Sequence, residues 1–211
     1  MSLYPPPHHQ ESGFANAIKT LQTFPLALLI TTQNDVPLLT HLPLIYKVDD
    51  GLGKLLGHID NNNPQLQHIV PGAKVTLVFN GPDSYISPAI YTTPQLPTWN
   101  YIKVHLEGKI LCHQNNDELK NAMVELTHTL EGDQQQFTLN KDDSRMEAFV
   151  NYVTGFEIEI TSWEGKFKLS QDKLKKDQEK AKSALKSNYS AIMNDYVDLI
   201  YKKHITKSSL K

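Results

Sequence analysis

The chain has 211 residues, 39% hydrophobic and 21% charged, which is the composition of an ordinary globular protein large enough to bury a core. Its net charge is −2, and Arg145 is the one arginine among 21 basic residues, which argues against a dedicated reader of nucleic-acid bases. A single cysteine, Cys112, leaves no internal disulfide and no cysteine metal cluster, and no apolar run approaches the ~18 residues of a membrane span.

The N-terminal "MSLYPPPHHQE" has no basic stretch followed by an apolar one, so a cytoplasmic protein without a secretory leader is expected. The first predicted helix is Glu11 to Phe24, with Phe14, Ile18 and Leu21 on one face and Pro25 as its stop. "LALLITT" reads as a buried strand. After a turn at Asn34-Asp35, "DVPLLTHLPLIYKV" reads as a second strand, with Pro37 and Pro43 at its ends or edges. "GKLLGHI" is a third. "DNNNPQLQHI" is a polar turn into a short helix, with Asn63 as its cap and Pro64 in its first turn.

"AKVTLVFNG" alternates, Val75, Leu77 and Phe79 falling on one face, and Gly81-Pro82 predicts a turn. "SYISPAIY" and "PTWNYIKVHLEGKILCH" are further strands, separated by "TTPQL". A helix is predicted from Asn116 to Leu130, with Leu119, Met123, Leu126 and Leu130 aligned. Another starts near Ser144, where Ser144 and Glu147 have capping-box spacing. "GFEIEIT" and "GKFKLSQ" are the last strands. From about Asp172 the chain reads as helix. Its lysines between Lys166 and Lys186 alternate with acids, the pattern of a solvated face, while Tyr189, Ile192, Met193, Tyr196, Leu199 and Ile200 form a stripe that must pack on this subunit or a partner. The expected fold is mainly β with flanking helices (α+β), six or seven antiparallel strands forming a barrel over residues 1–171, and a helical extension over 172–211.

Phosphate-loop, zinc-protease and serine-hydrolase motifs are missing, and the nine histidines show no ligand spacing, so no metal site is expected. Polar groups nevertheless sit on strands that do not require them. In "THLPLI", Thr40 lies on one face and His41 on the other; His41 suits either a phosphate contact or a satisfied structural role. His58 falls at a strand end, where barrel mouths hold ligands. Tyr85 and Ser87 project to one side. Trp99, Tyr101, Lys103 and His105 share a face, while Asn100 falls with Ile102 and Val104. Lys168 and Ser170 share a face near the chain's last strand, an ammonium beside a hydroxyl that suits an anion or simply faces solvent.

Taken in order, "THLPLI", "GHIDNNNPQ", "GPDSYISPAIY", "LPTWNY" and "GFEIEI…EGKFKLSQ" resemble the PaiB family of FMN-binding split-barrel proteins, from about Tyr4 to Gln171. The resemblance implies a split β-barrel, a homodimer, and FMN at the subunit interface. It also implies a negative transcriptional regulator, with DNA as a partner by family analogy alone. The alternative is a flavin-dependent oxidoreductase resembling flavin reductases or pyridoxamine-phosphate oxidases. The implied FMN-binding residues are Thr40, His41, His58, Tyr85, Ser87, Trp99, Asn100, Tyr101, Lys168, Ser170 and Gln171. Two departures bear on the site. "TTPQL" is shorter than the family's loop, which implies a more open cleft, and Asp172 replaces the family's asparagine, where a carboxylate would repel a phosphate.

Overall fold

The computed structural model describes residues 6–132 and 135–187; the predicted stripe from Tyr189 to Ile200 lies outside them. The first strands are β1 (Gln10–Glu11), β2 (Leu26–Gln33), β3 (Val36–Pro43), β4 (Ile45–Lys47) and β5 (Lys54–Asp60). They are followed by β6 (Lys74–Ile86), β7 (Thr98–His113) and β8 (Val153–Lys168). Helices α1 (Phe14–Thr23), α2 (Asn116–Glu131) and α3 (Ser144–Phe149) are joined by α4, residues 175–187. The sheet order is β3-β2-β6-β7-β8-β5-β4, with β1 paired to β8. It is mainly antiparallel and not closed, and it has eight strands rather than six or seven.

Local chemistry explains the first hairpin. Asn34 and Asp35 both take left-handed backbone, φ 50° and 64°, as a two-residue turn of this hand requires. β2 and β3 then pair from Leu26 opposite Pro43 to Gln33 opposite Val36. The predicted strand after the hairpin breaks in two at Leu44, whose side chain is buried and whose N–H turns away to donate to Pro25 O at 3.0 Å. β4 then pairs with β5.

Four other expectations are corrected. Glu11 belongs to β1, so α1 starts at Phe14. The predicted turn at Gly81-Pro82 is continuous strand within β6; a Cβ at Gly81 would lie 3.0 Å from Ile102, so the glycine admits a neighbour instead of reversing the chain. "GFEIEIT" and "GKFKLSQ" are one strand, β8, through Gly165. The cap of α3 is Asp143, whose carboxylate accepts from Arg145 N at 2.9 Å, and Ser144 is the first helical residue. Asn63 caps as expected, accepting from Gln65 N at 2.9 Å, although the element it caps is a single 3₁₀ stretch, Pro64–His68.

The chain divides into two units. The first spans Glu11–Asn80 and Lys103–Gly165. Its interior holds Leu29, Leu55, Leu77, Phe79, Leu106, Phe156 and Ile158, with Ala17 and Leu21 of α1. On α2, Ala122 packs with Ile45 and Leu56, and Leu119 packs with Val150 and Val153. Among the described residues, the second unit spans 6–10, Gly81–Ile102 and 166–187. Its described core is Ile86 and Tyr91 against Ala181 and Leu185 of α4, with Leu169 and Ile90 beside them. No described helix is long and apolar enough to cross a membrane.

Candidate functional site

The predicted residues that meet one another lie in the second unit, where β7 begins and β8 ends. Side chains on a strand alternate, so Thr98 and Asn100 point to one side and Trp99 and Tyr101 to the other. On the first side, Lys168 Nζ donates to Thr98 Oγ1 at 2.6 Å. An ammonium carries three protons, so two remain for another acceptor. Two residues on, Ser170 is buried with φ 63°, in the left-handed region that glycine favours. Its hydroxyl donates to Asn100 Oδ1 at 3.1 Å. Because that proton is used, the 2.9 Å contact between Ser170 Oγ and Tyr91 Oη has the phenol as donor. Asn100 is only 1% exposed, so it is a fixed internal acceptor.

A cavity of about 340 Å³ opens here, lined by His9, Thr98, Lys168, Ser170, Asp172 and Lys173 among others. Asp172 does not stand there as a bare negative charge: Lys173 Nζ holds its Oδ2 at 2.7 Å. Burial pushes its carboxyl up, but the hydrogen bond and charge of Lys173 outweigh that and keep it below the usual carboxylate range. With Lys168 beside this neutralised pair, the cavity carries a net positive balance suited to an anion. Burial, despite the hydrogen bond that His9 donates to Gln171, lowers the pKa of the His9 imidazole.

Gln171 braces the turn after β8. Its Oε1 accepts from Leu169 N at 2.7 Å, its Nε2 donates to Phe167 O, and Oε1 lies 3.0 Å from His9 Nδ1. On the other side of β7, Trp99 and Tyr85 are 54% and 45% exposed and meet edge to face, centroids 6.4 Å apart. Tyr101 is half-buried. Ser87 caps the 3₁₀ turn Pro88–Ile90, accepting from Ala89 N at 3.3 Å.

Thr40, His41 and His58 belong to the first unit. Thr40 Oγ1 accepts from Asn63 Nδ2 at 2.9 Å, and His41 is exposed on β3. His58 lies in β5 opposite Gly155, and burial lowers its imidazole pKa.

Several residues of the site carry no expectation from sequence: Thr98, His9 and Lys173 in the cavity lining, and Tyr91 and Asp177 beside it. Tyr91 had no signal beyond its place in "YISPAIY". Asp177 is fully buried and accepts from Thr92 N at 2.8 Å and Thr93 Oγ1 at 3.4 Å, tying the short loop after Tyr91 to α4. Its signal was present: Asp177, Ala181 and Leu185 repeat every four residues, one face of a helix.

A family model described as "Putative FMN-binding domain" matches residues 3–162. The Protease synthase and sporulation protein PAI 2 of Bacillus subtilis is 28% identical over 171 residues, covering 80% of this chain and 82% of that protein. An uncharacterized protein of Emericella nidulans is 27% identical, covering 77% of this chain and 82% of its own. Among solved structures, an FAD and heme binding protein from Mycobacterium smegmatis is similar in fold, with TM-score 0.59 at 15% identity over 80% of this chain and 78% of that one.

Proposed function

The chain belongs to the PaiB family of FMN-binding proteins, and from that premise we propose that it binds FMN as a homodimer and serves a regulatory role. The observation that carries the reading is the Lys168–Thr98 pair beside Ser170 in the 340 Å³ cavity. A dianionic phosphate wants cations and hydroxyls in a recess, and this cavity supplies them. Its volume lies at the small end of ligand sites, which suits the phosphate end of FMN and not the whole molecule. The flat ring needs an aromatic wall, and Trp99 with Tyr85 offers one that is half exposed. These two features lie on opposite sides of β7, so a flavin that uses both is held between two copies of the chain.

When bound, FMN supplies electron- and hydride-transfer chemistry. This chain's residues then hold the phosphate, support the ring and exclude water. The regulatory role follows the sporulation relative and rests on it alone.

Absorbance of the purified protein in the flavin bands tests the cofactor. Lys168→Ala removes a charge-assisted contact worth ~1.5–3 kcal/mol and is expected to weaken FMN roughly 10- to 100-fold. Trp99→Ala is expected to weaken it as well. Full FMN occupancy in both variants, or a monomer by size exclusion with flavin bound, overturns this placement. Rapid bleaching by NAD(P)H would favour an oxidoreductase instead.

A further inference from the structure

The histidines show no ligand spacing in sequence, yet the fold gathers two of them with a carboxylate. One ligand atom each from His8, His9 and Asp172 lies within 4.8 Å of the others. A first-row metal bound at ~2.0–2.2 Å sets its ligands roughly 3.4 Å apart, a difference that side-chain rotation closes. We propose that His8, His9 and Asp172 bind a divalent transition-metal ion of the zinc class.

The second line of support is the setting of His9. The Gln171 amide cannot be turned round: Oε1 takes the Leu169 N–H and Nε2 gives to Phe167 O. The oxygen therefore faces His9, and His9 Nδ1 must carry the proton that bridges the 3.0 Å gap. That leaves Nε2 unprotonated, with its lone pair available to a ligand. An imidazole whose second nitrogen is held by an amide oxygen is the arrangement that orients metal-ligating histidines. The ring is also fixed in place, being 7% exposed at the end of the Pro7–His9 turn, with the His8 ring 4.1 Å away.

Two imidazoles and one carboxylate suit Zn²⁺, Co²⁺, Ni²⁺ or Fe²⁺ and not Mg²⁺ or Ca²⁺, which take oxygen sets. Three protein ligands leave at least one position open. Lys173 opposes the ion, since its ammonium already occupies Asp172 Oδ2. Binding must displace or share that contact, so the site is weaker than a closed structural zinc site.

This opposition gives a test with signs in both directions. The full-length chain, purified without a polyhistidine tag, is titrated with Zn²⁺ by calorimetry and with Co²⁺ by absorption. One ion per chain is expected, with affinity falling at least tenfold in His8→Ala and in Asp172→Asn, and rising in Lys173→Ala. Unchanged affinity in both ligand variants, or no stoichiometric binding, overturns the proposal. Weaker binding in Lys173→Ala also counts against it, because it would make the lysine a support and not a competitor. His8 does not line the phosphate cavity, so His8→Ala is expected to keep FMN affinity. Loss of metal with FMN retained separates this site's fate from that of the flavin reading.

Discussion

Ser170 shows what one residue is held to do. A non-glycine residue at φ 63° sits in a region that costs about 1 kcal/mol or more, so surrounding groups must hold it there. The Tyr91–Ser170–Asn100 chain of hydrogen bonds supplies that hold. Asn100→Ala removes the acceptor and leaves a buried hydroxyl unsatisfied, which is expected to destabilise the fold by ~1–3 kcal/mol in urea unfolding. A change below about 0.5 kcal/mol would mean the chain of bonds is not holding the turn. Half of this was legible in sequence. Alternation put Asn100 on the same face of β7 as Ile102 and Val104, and the structure buries it there. Its partner 70 positions away was not, because a contact at that separation leaves no periodic trace.

At the scale of elements, the strands were legible from alternation and the hairpin from Asn34-Asp35, but strand continuity was not. Gly81 and Gly165 read as punctuation because glycine usually marks turns. Here each is a point of close approach: a Cβ at Gly165 would lie 2.7 Å from Glu11 Cβ of β1. Gly108 in β7 is tighter still, with Ile158 Cγ2 at 2.4 Å and Glu159 O at 2.9 Å from the same position. Gly108→Ala must therefore push β8 aside. It is expected to destabilise by about 1–3 kcal/mol, read as a lowered melting temperature. An unchanged melt would show that the β7–β8 spacing gives way without penalty. The cap of α3 was misread by one position because Ser144 and Asp143 are both good caps and only geometry separates them.

For the whole molecule, the division into two units left no mark in composition, since its boundaries fall inside β6, β7 and β8 and not in any linker. Overall stability also responds to pH in a way that one partly buried group predicts. Burial lowers the His58 pKa below 6.5 in the folded chain, so the unfolded chain binds the proton more readily. The contribution is complete above pH ~6.5 and is lost as pH falls through that value toward the folded pKa. Denaturant midpoints are therefore expected to drop from pH 7.5 to pH 5.5 in the parent and to drop less in His58→Gln. Equal drops in the two proteins would remove His58 as a cause.

The Asp177 carboxylate has a consequence in time. It fixes Thr93, which lies 84 positions earlier in the chain. At ~5–20 residues per second, a ribosome needs roughly 4–17 s to travel that distance. During that interval Thr92 and Thr93 lack their clamp, so the nascent loop stays open to proteases and chaperones until α4 emerges and locks it.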